Sequence, residues 1–163
     1  MIKINPSKKK KIAVLVTKEH HCLGDILVRN YFGTLNAEVC AVIGNYDNLR
    51  DFTERFDIPY YYITHENKTK DDFENELAIQ LKEINPDFIV LAKFMRILSP
   101  TFVKEFEHRI INIHHSFLPA FIGANPYKQA HDRGVKISGA TAHFVTNDLD
   151  EGPIIVQNTK SID

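Results

Sequence analysis

Ile12-Ala13-Val14-Leu15-Val16 is apolar at every position and built from β-branched and aliphatic side chains. A strand with one solvated face alternates apolar and polar residues, so an unbroken run predicts a strand covered on both faces, as in a parallel sheet. Outward from this run, the loop Thr17 to His21 leads into a predicted helix from about Cys22 to Phe32. The alternation then repeats. A strand over Glu38 to Gly44 is followed by the turn residues Asn45, Asp47 and Asn48 and a short helix from Leu49 to Phe56. A third strand, Tyr60 to Ile63, begins just after Pro59, as expected for an edge or first-strand position. Asp71 to Ile84 carries Phe73, Leu77, Ile79, Leu81 and Ile84 among charges, an amphipathic helix with a start signal at Asp71 or Asp72 and a stop at Asn85-Pro86. Phe88 to Ala92 is again wholly apolar. Strands alternating with helices imply an α/β, Rossmann-like, mainly parallel sheet flanked by helices.

The second half departs from that rhythm. After the connection Lys93 to Leu98, Ser99-Pro100 reads as an N-cap with proline at the first helical position, opening a helix to about Phe106. A strand over Arg109 to Ile113 follows, then a helix from about Pro126 to Arg133. Lys136 to Val145 and Ile154 to Thr159 are strand-like, and the short segment between them predicts a C-terminal antiparallel hairpin. With no repeat, low-complexity tract or linker, residues 1–163 read as a single domain.

Composition narrows the partners. Twenty basic residues against 21 acidic ones leave a net charge of −1, with no global attraction to nucleic acid or an anionic membrane, so a small-molecule partner is expected. Two cysteines, Cys22 and Cys40, without Cys-x-x-Cys spacing argue against a disulfide framework and a structural zinc site, and favour a reducing, cytoplasmic setting. The lysines from Lys8 to Lys11 precede an apolar stretch too short for a signal-peptide core, and no run approaches membrane-spanning length. Eight histidines show no metal-ligand spacing, which leaves a metal-dependent hydrolase as the weakest functional class and no metal expected.

Chemistry concentrates in Ile110-Ile111-Asn112-Ile113-His114-His115-Ser116-Phe117-Leu118-Pro119. If extended geometry lasts through His114, Asn112 and His114 project from one face, because side chains alternate along a strand. An amide that donates a neutral hydrogen bond and an imidazole that carries a proton near neutral pH suit attack on a carbonyl. His115 points to the other side, which disfavours a metal shared with His114. Downstream, Thr141, His143, Asp148 and Asp150 precede a Gly152-Pro153 turn. Asp150 is the carboxylate that such a pocket needs to orient the imidazole or position a water. The plainer reading of the same residues is turn capping and backbone hydrogen bonding.

These segments carry a family resemblance. Asn112-Ile113-His114, Ser116, Leu118-Pro119 and Leu149-Asp150-Glu151-Gly152-Pro153 resemble the folate-dependent formyltransferase and deformylase superfamily. Within it the formyltetrahydrofolate deformylases are the closer match, on Lys18-Glu19-His20-His21-Cys22-Leu23, Phe94-Met95-Arg96-Ile97-Leu98-Ser99, His114-His115 and Gly123-Ala124-Asn125-Pro126-Tyr127. The resemblance implies hydrolysis of 10-formyltetrahydrofolate to tetrahydrofolate and formate, with the folate as substrate and no permanently bound cofactor. It implies Asn112, His114 and Asp150 as the catalytic residues. Phe94, Met95, Arg96, Ile97 and Leu98 border the pterin, with Thr141 and His143 near the reacting centre. Lys18, His20 and His21, with Asp25, line the cleft mouth, and Asn125 and Lys128 face the cleft. The same resemblance leads to the expectation that the small regulatory-type domain preceding the catalytic domain in the family and the family's C-terminal helical end are absent, and that the sheet face so uncovered favours a homo-oligomer. The rival readings are a formyltransferase acting on an amine such as glycinamide ribonucleotide, and a non-catalytic folate-binding module or partner subunit.

Overall fold

The computed structural model describes residues 8–114, 118–120, 128–129, 132–134 and 137–161. The helix expected from Pro126, together with His115 and Asn125, falls wholly or largely outside them. The chain forms two compact units, Met1–Met95 and Arg96–Asp163.

The first unit contains β1 (Lys10–Val16), α1 (His21–Tyr31), β2 (Ala37–Gly44), α2 (Arg50–Glu54), β3 (Tyr60–Tyr62), α3 (Lys70–Ile84) and β4 (Phe88–Leu91). Its strands lie in the order β3-β2-β1-β4, every pair parallel. Ala13 to Val16 have no exposed surface, as the unbroken apolar run requires. Val14 and Val16 belong to one cluster with Leu23 and Leu27 of α1, Val42 of β2 and Leu49 ahead of α2. Ala13 and Leu15, which alternate to the other face, are equally buried. Leu23 and Leu27 are four apart, so they share one side of α1 and hold it on the sheet. The helix α3 buries Phe73, Leu77, Ala78 and Leu81.

The start of α3 corrects the sequence expectation. Thr69, not Asp71 or Asp72, is the N-cap: its hydroxyl accepts from the Asp72 amide at 3.1 Å. The two aspartates sit in the first turn, where negative charge favours the helix dipole. Asn85 ends the helix at φ +49, a left-handed conformation that asparagine tolerates better than most residues.

The second unit contains α4 (Pro100–Glu105), β5 (Ile110–His114), β6 (Ile137–Phe144) and β7 (Ile154–Ser161). Ser99 caps α4 as expected, accepting from Phe102 N at 3.2 Å, with Pro100 at the first helical position. The hairpin of β6 and β7 is antiparallel, and so is the pairing of β5 with β6, which the sequence did not indicate. The fold is α/β and Rossmann-like, mainly parallel with a C-terminal antiparallel hairpin.

Candidate active site

The antiparallel register of β5 and β6 sets Asn112 opposite His143 and His114 opposite Thr141. Residues directly opposite in such a pair project from the same face, so these four side chains form a two-by-two patch. Three of them are buried polar groups: Thr141 is 0% exposed, His143 2% and His114 8%. Burial of that kind is tolerated only where hydrogen bonds or ion pairs replace water.

The turn between β6 and β7 supplies the counterpart. Asp150 places Oδ2 3.3 Å from His114 Nδ1 and Oδ1 3.6 Å from His143 Nε2. Its side chain is almost wholly buried, and its backbone is left-handed at φ +58, a conformation aspartate adopts more readily than most side chains. Gly152 permits this turn. A Cβ at that position would stand 1.6 Å from the Phe144 carbonyl oxygen, so only glycine lets the turn close on the end of β6. The closure is completed by the Phe144 amide, which donates to Pro153 O at 3.0 Å.

His143 has a defined tautomer. Its Nδ1 lies 2.9 Å from its neighbour's carbonyl, Phe144 O. A carbonyl only accepts, so Nδ1 carries a proton. Its Nε2 is buried, has no hydrogen-bond partner among the described residues, and looks toward Asp150 across 3.6 Å. A carboxylate held between two imidazoles, beside an amide on the same face, can orient a histidine, accept a proton and return one. Among the described residues no cluster of three or more His, Cys, Asp or Glu side chains is arranged to hold a metal ion.

The remaining expected positions are divided between the two units. In the first, Lys18, His20 and His21 are exposed in the loop leaving β1 and at the start of α1. Lys18 Nζ stacks 4.1 Å from the centroid of the Tyr46 ring, a cation–π contact. His20 occupies the N-cap position of α1 without using its side chain to cap, and His21 is the first helical residue, one earlier than expected. Glu19 is ion-paired to Lys93, at 3.7 Å, and lies 3.5 Å from His21 Nδ1. Asp25 instead bonds Arg29 at 2.8 Å within α1.

Phe94 and Met95 close the first unit, where the Met95 amide donates to Thr17 Oγ1 at 2.9 Å. Arg96, Ile97 and Leu98 open the second. Met95 and Ile97 are each 69% exposed, apolar side chains held out of the core, while Leu98 is buried in it. Lys128 is exposed.

Sequence reasoning passed over Gln157. Its Nε2 donates to Thr141 Oγ1 at 3.0 Å and to Leu118 O at 2.8 Å. A glutamine in a strand carries no signal by itself; only its register opposite Thr141 reveals the contact.

The strand order and the clustering of Asn112, His114, His143 and Asp150 define an α/β protein with a polar patch at its antiparallel strands. The chain matches the formyl transferase family over residues 10–163, and it belongs to that family. It is 59% identical over 157 residues to a formyltetrahydrofolate deformylase of Haemophilus influenzae, covering 96% of this chain and 56% of the relative. The crystal structure of a formyltetrahydrofolate deformylase from Pseudomonas syringae superposes with a TM-score of 0.89 at 43% identity, covering 96% of this chain and 52% of that one. A glycinamide ribonucleotide transformylase from Geobacillus kaustophilus superposes at 0.88 with 31% identity, covering 96% and 85%. The chain spans little more than half the length of the deformylases it matches.

Proposed function

We propose that the chain hydrolyses 10-formyltetrahydrofolate to tetrahydrofolate and formate. The observation that carries this reading is the buried Asp150 carboxylate between His114 and His143, on the strand face that also bears Asn112. Water attack on the formamide carbon puts negative charge on the formyl oxygen, and the Asn112 amide and a protonated His114 stabilise it. Asp150 accepts one proton of the attacking water and returns it to the departing nitrogen, so that a neutral amine leaves with formic acid, which loses its remaining proton to solvent as formate. Phe94 to Leu98 supply apolar surface for a flat heterocycle, with Met95 and Ile97 already exposed. Thr141 and His143 support the reacting centre, and Lys18, His20 and His21 form the cleft mouth.

Water rather than a phosphorylated amine is the acceptor in this reading. An anion cradle at a helix N-terminus needs close-approaching backbone amides, usually from glycines. Lys18-Glu19-His20-His21-Cys22 stands there instead. The ion pair of Glu19 with Lys93 offsets its repulsion of a phosphate, so exclusion rests on bulk more than on charge.

The same proposal takes residues 1–163 as one catalytic domain that needs no resident cofactor and binds neither nucleic acid nor membrane. Among the described residues no helix is long and apolar enough to cross a membrane. A cytoplasmic setting accords with the free thiols of Cys22 and Cys40. Self-association accords with the exposed apolar side chains Ile154, Ile155 and Val156 of β7.

Incubation with 10-formyltetrahydrofolate, with and without glycinamide ribonucleotide, tests the assignment. Formate release independent of the amine is expected. Recovery of the formyl group on the amine would transfer the assignment to a formyltransferase, and folate binding without either product would make the chain a binding module.

A further inference from the structure

The hydrogen-bond network on β6 and β7 reaches the site from outside the predicted residues. Leu118 is buried, and both polar groups of its peptide backbone therefore need partners. Its amide donates to Thr141 Oγ1 at 3.1 Å, and its carbonyl accepts from Gln157 Nε2 at 2.8 Å. The same Nε2 donates to Thr141 Oγ1 at 3.0 Å, so one side-chain amide uses both hydrogens to close a ring of three bonds.

The register gives this ring its importance. His114 is opposite Thr141 on β6, and Thr141 is opposite Gln157 on β7, so the three lie in one row across three strands. His114 is the last residue of β5. Four residues on, the chain is pinned to the other two members of its row. Through the covalent chain, that anchor ties the residues following β5 back to β6 and β7 at Leu118. Asp150 is held by its own turn, through Gly152 and the Phe144–Pro153 bond. The 3.3 Å approach of His114 to Asp150 thus joins two independently fixed elements. Thr141, with no exposed surface and its hydroxyl accepting two bonds, serves the site through this anchor.

We infer that Gln157 is a positioning residue: by clamping the Leu118 backbone to Thr141 it fixes His114 against Asp150. Gln157→Glu keeps the shape and removes both donors, and Gln157→Leu removes all polarity. Either leaves the Leu118 carbonyl buried without its amide donor, a cost that Leu118 relieves only by moving toward water. Displacement of a catalytic group by about 1 Å costs on the order of 10²-fold in rate.

The test uses the 163-residue chain with ¹⁵N-labelled histidine. In both variants the His114 ring resonances should shift while those of exposed His108 stay in place, and melting should remain cooperative. The kinetic arm alone rests on the hydrolytic reading: kcat for 10-formyltetrahydrofolate should fall about 10- to 100-fold with KM changed less than about threefold. Unmoved His114 resonances overturn the inference whatever the turnover, and so do shifted resonances with kcat within twofold of the parent. A parent chain that releases no formate refutes the hydrolytic reading and leaves the ring resonances to decide the clamp.

Discussion

Replacing Gly152 with alanine should damage stability and turnover together. The added Cβ would lie 1.6 Å from Phe144 O and 2.8 Å from Phe144 C. Ordinary C···O contact begins near 3.3 Å, so the turn must retreat by about 1.7 Å. Neither obstacle is the end of a flexible side chain; both are backbone atoms of β6, held in its pairing with β5. Retreat breaks the Phe144–Pro153 hydrogen bond and carries away Asp150, two residues back. Overpacking of this kind costs about 2–3 kcal/mol, which in a chain of this length lowers Tm by roughly 5–10 °C. The separation of Asp150 from His114 would grow by a similar distance to the retreat, beyond hydrogen-bond reach, and kcat for formate release should fall on the order of 10²-fold. Differential scanning calorimetry and a formate-coupled assay measure the two effects. An alanine variant melting within about 2 °C of the parent, with turnover within threefold, would refute the claim that the close approach at Gly152 places Asp150.

Asn112→Ala, His114→Ala and Asp150→Ala should each lower turnover by about 10²- to 10³-fold with the circular dichroism spectrum retained, the loss expected for an oxyanion donor or a proton-transfer group. Added chelator should leave the parent rate unchanged; loss on chelation with recovery on zinc would revive metal-dependent hydrolysis. Sedimentation velocity should show a species larger than an 18.7 kDa monomer, because β7 presents Ile154, Ile155 and Val156 to solvent. A single monomeric boundary at micromolar concentration would remove self-association from the proposal.

Much of the architecture was legible in local pattern. The unbroken apolar run from Ile12 to Val16 could satisfy its side chains only with cover on both faces, and it is buried on both. Ser99-Pro100 opens α4 as read, because a cap is a contact between residues three apart. At Thr69 the reading went to the acidic residues of the first turn and missed the hydroxyl ahead of them; the choice between cap and first turn depends on backbone angles that composition does not carry.

For the site, the sequence by itself determined that Asn112 and His114 share a face, since alternation along a strand needs no partner. What lies on that face with them was decided by tertiary structure. The antiparallel register of β5 with β6 joins residues about 30 positions apart, and a slip of one residue would have sent His143 and Thr141 to the opposite side. The approach of Asp150 to His114 depends further on a turn that closes against Phe144 O, and the role of Gln157 on a third strand in the same row. Residue types announce which groups can donate, accept or carry a proton. Register and turn closure decide which of them meet, because those are relations between segments that no single segment contains.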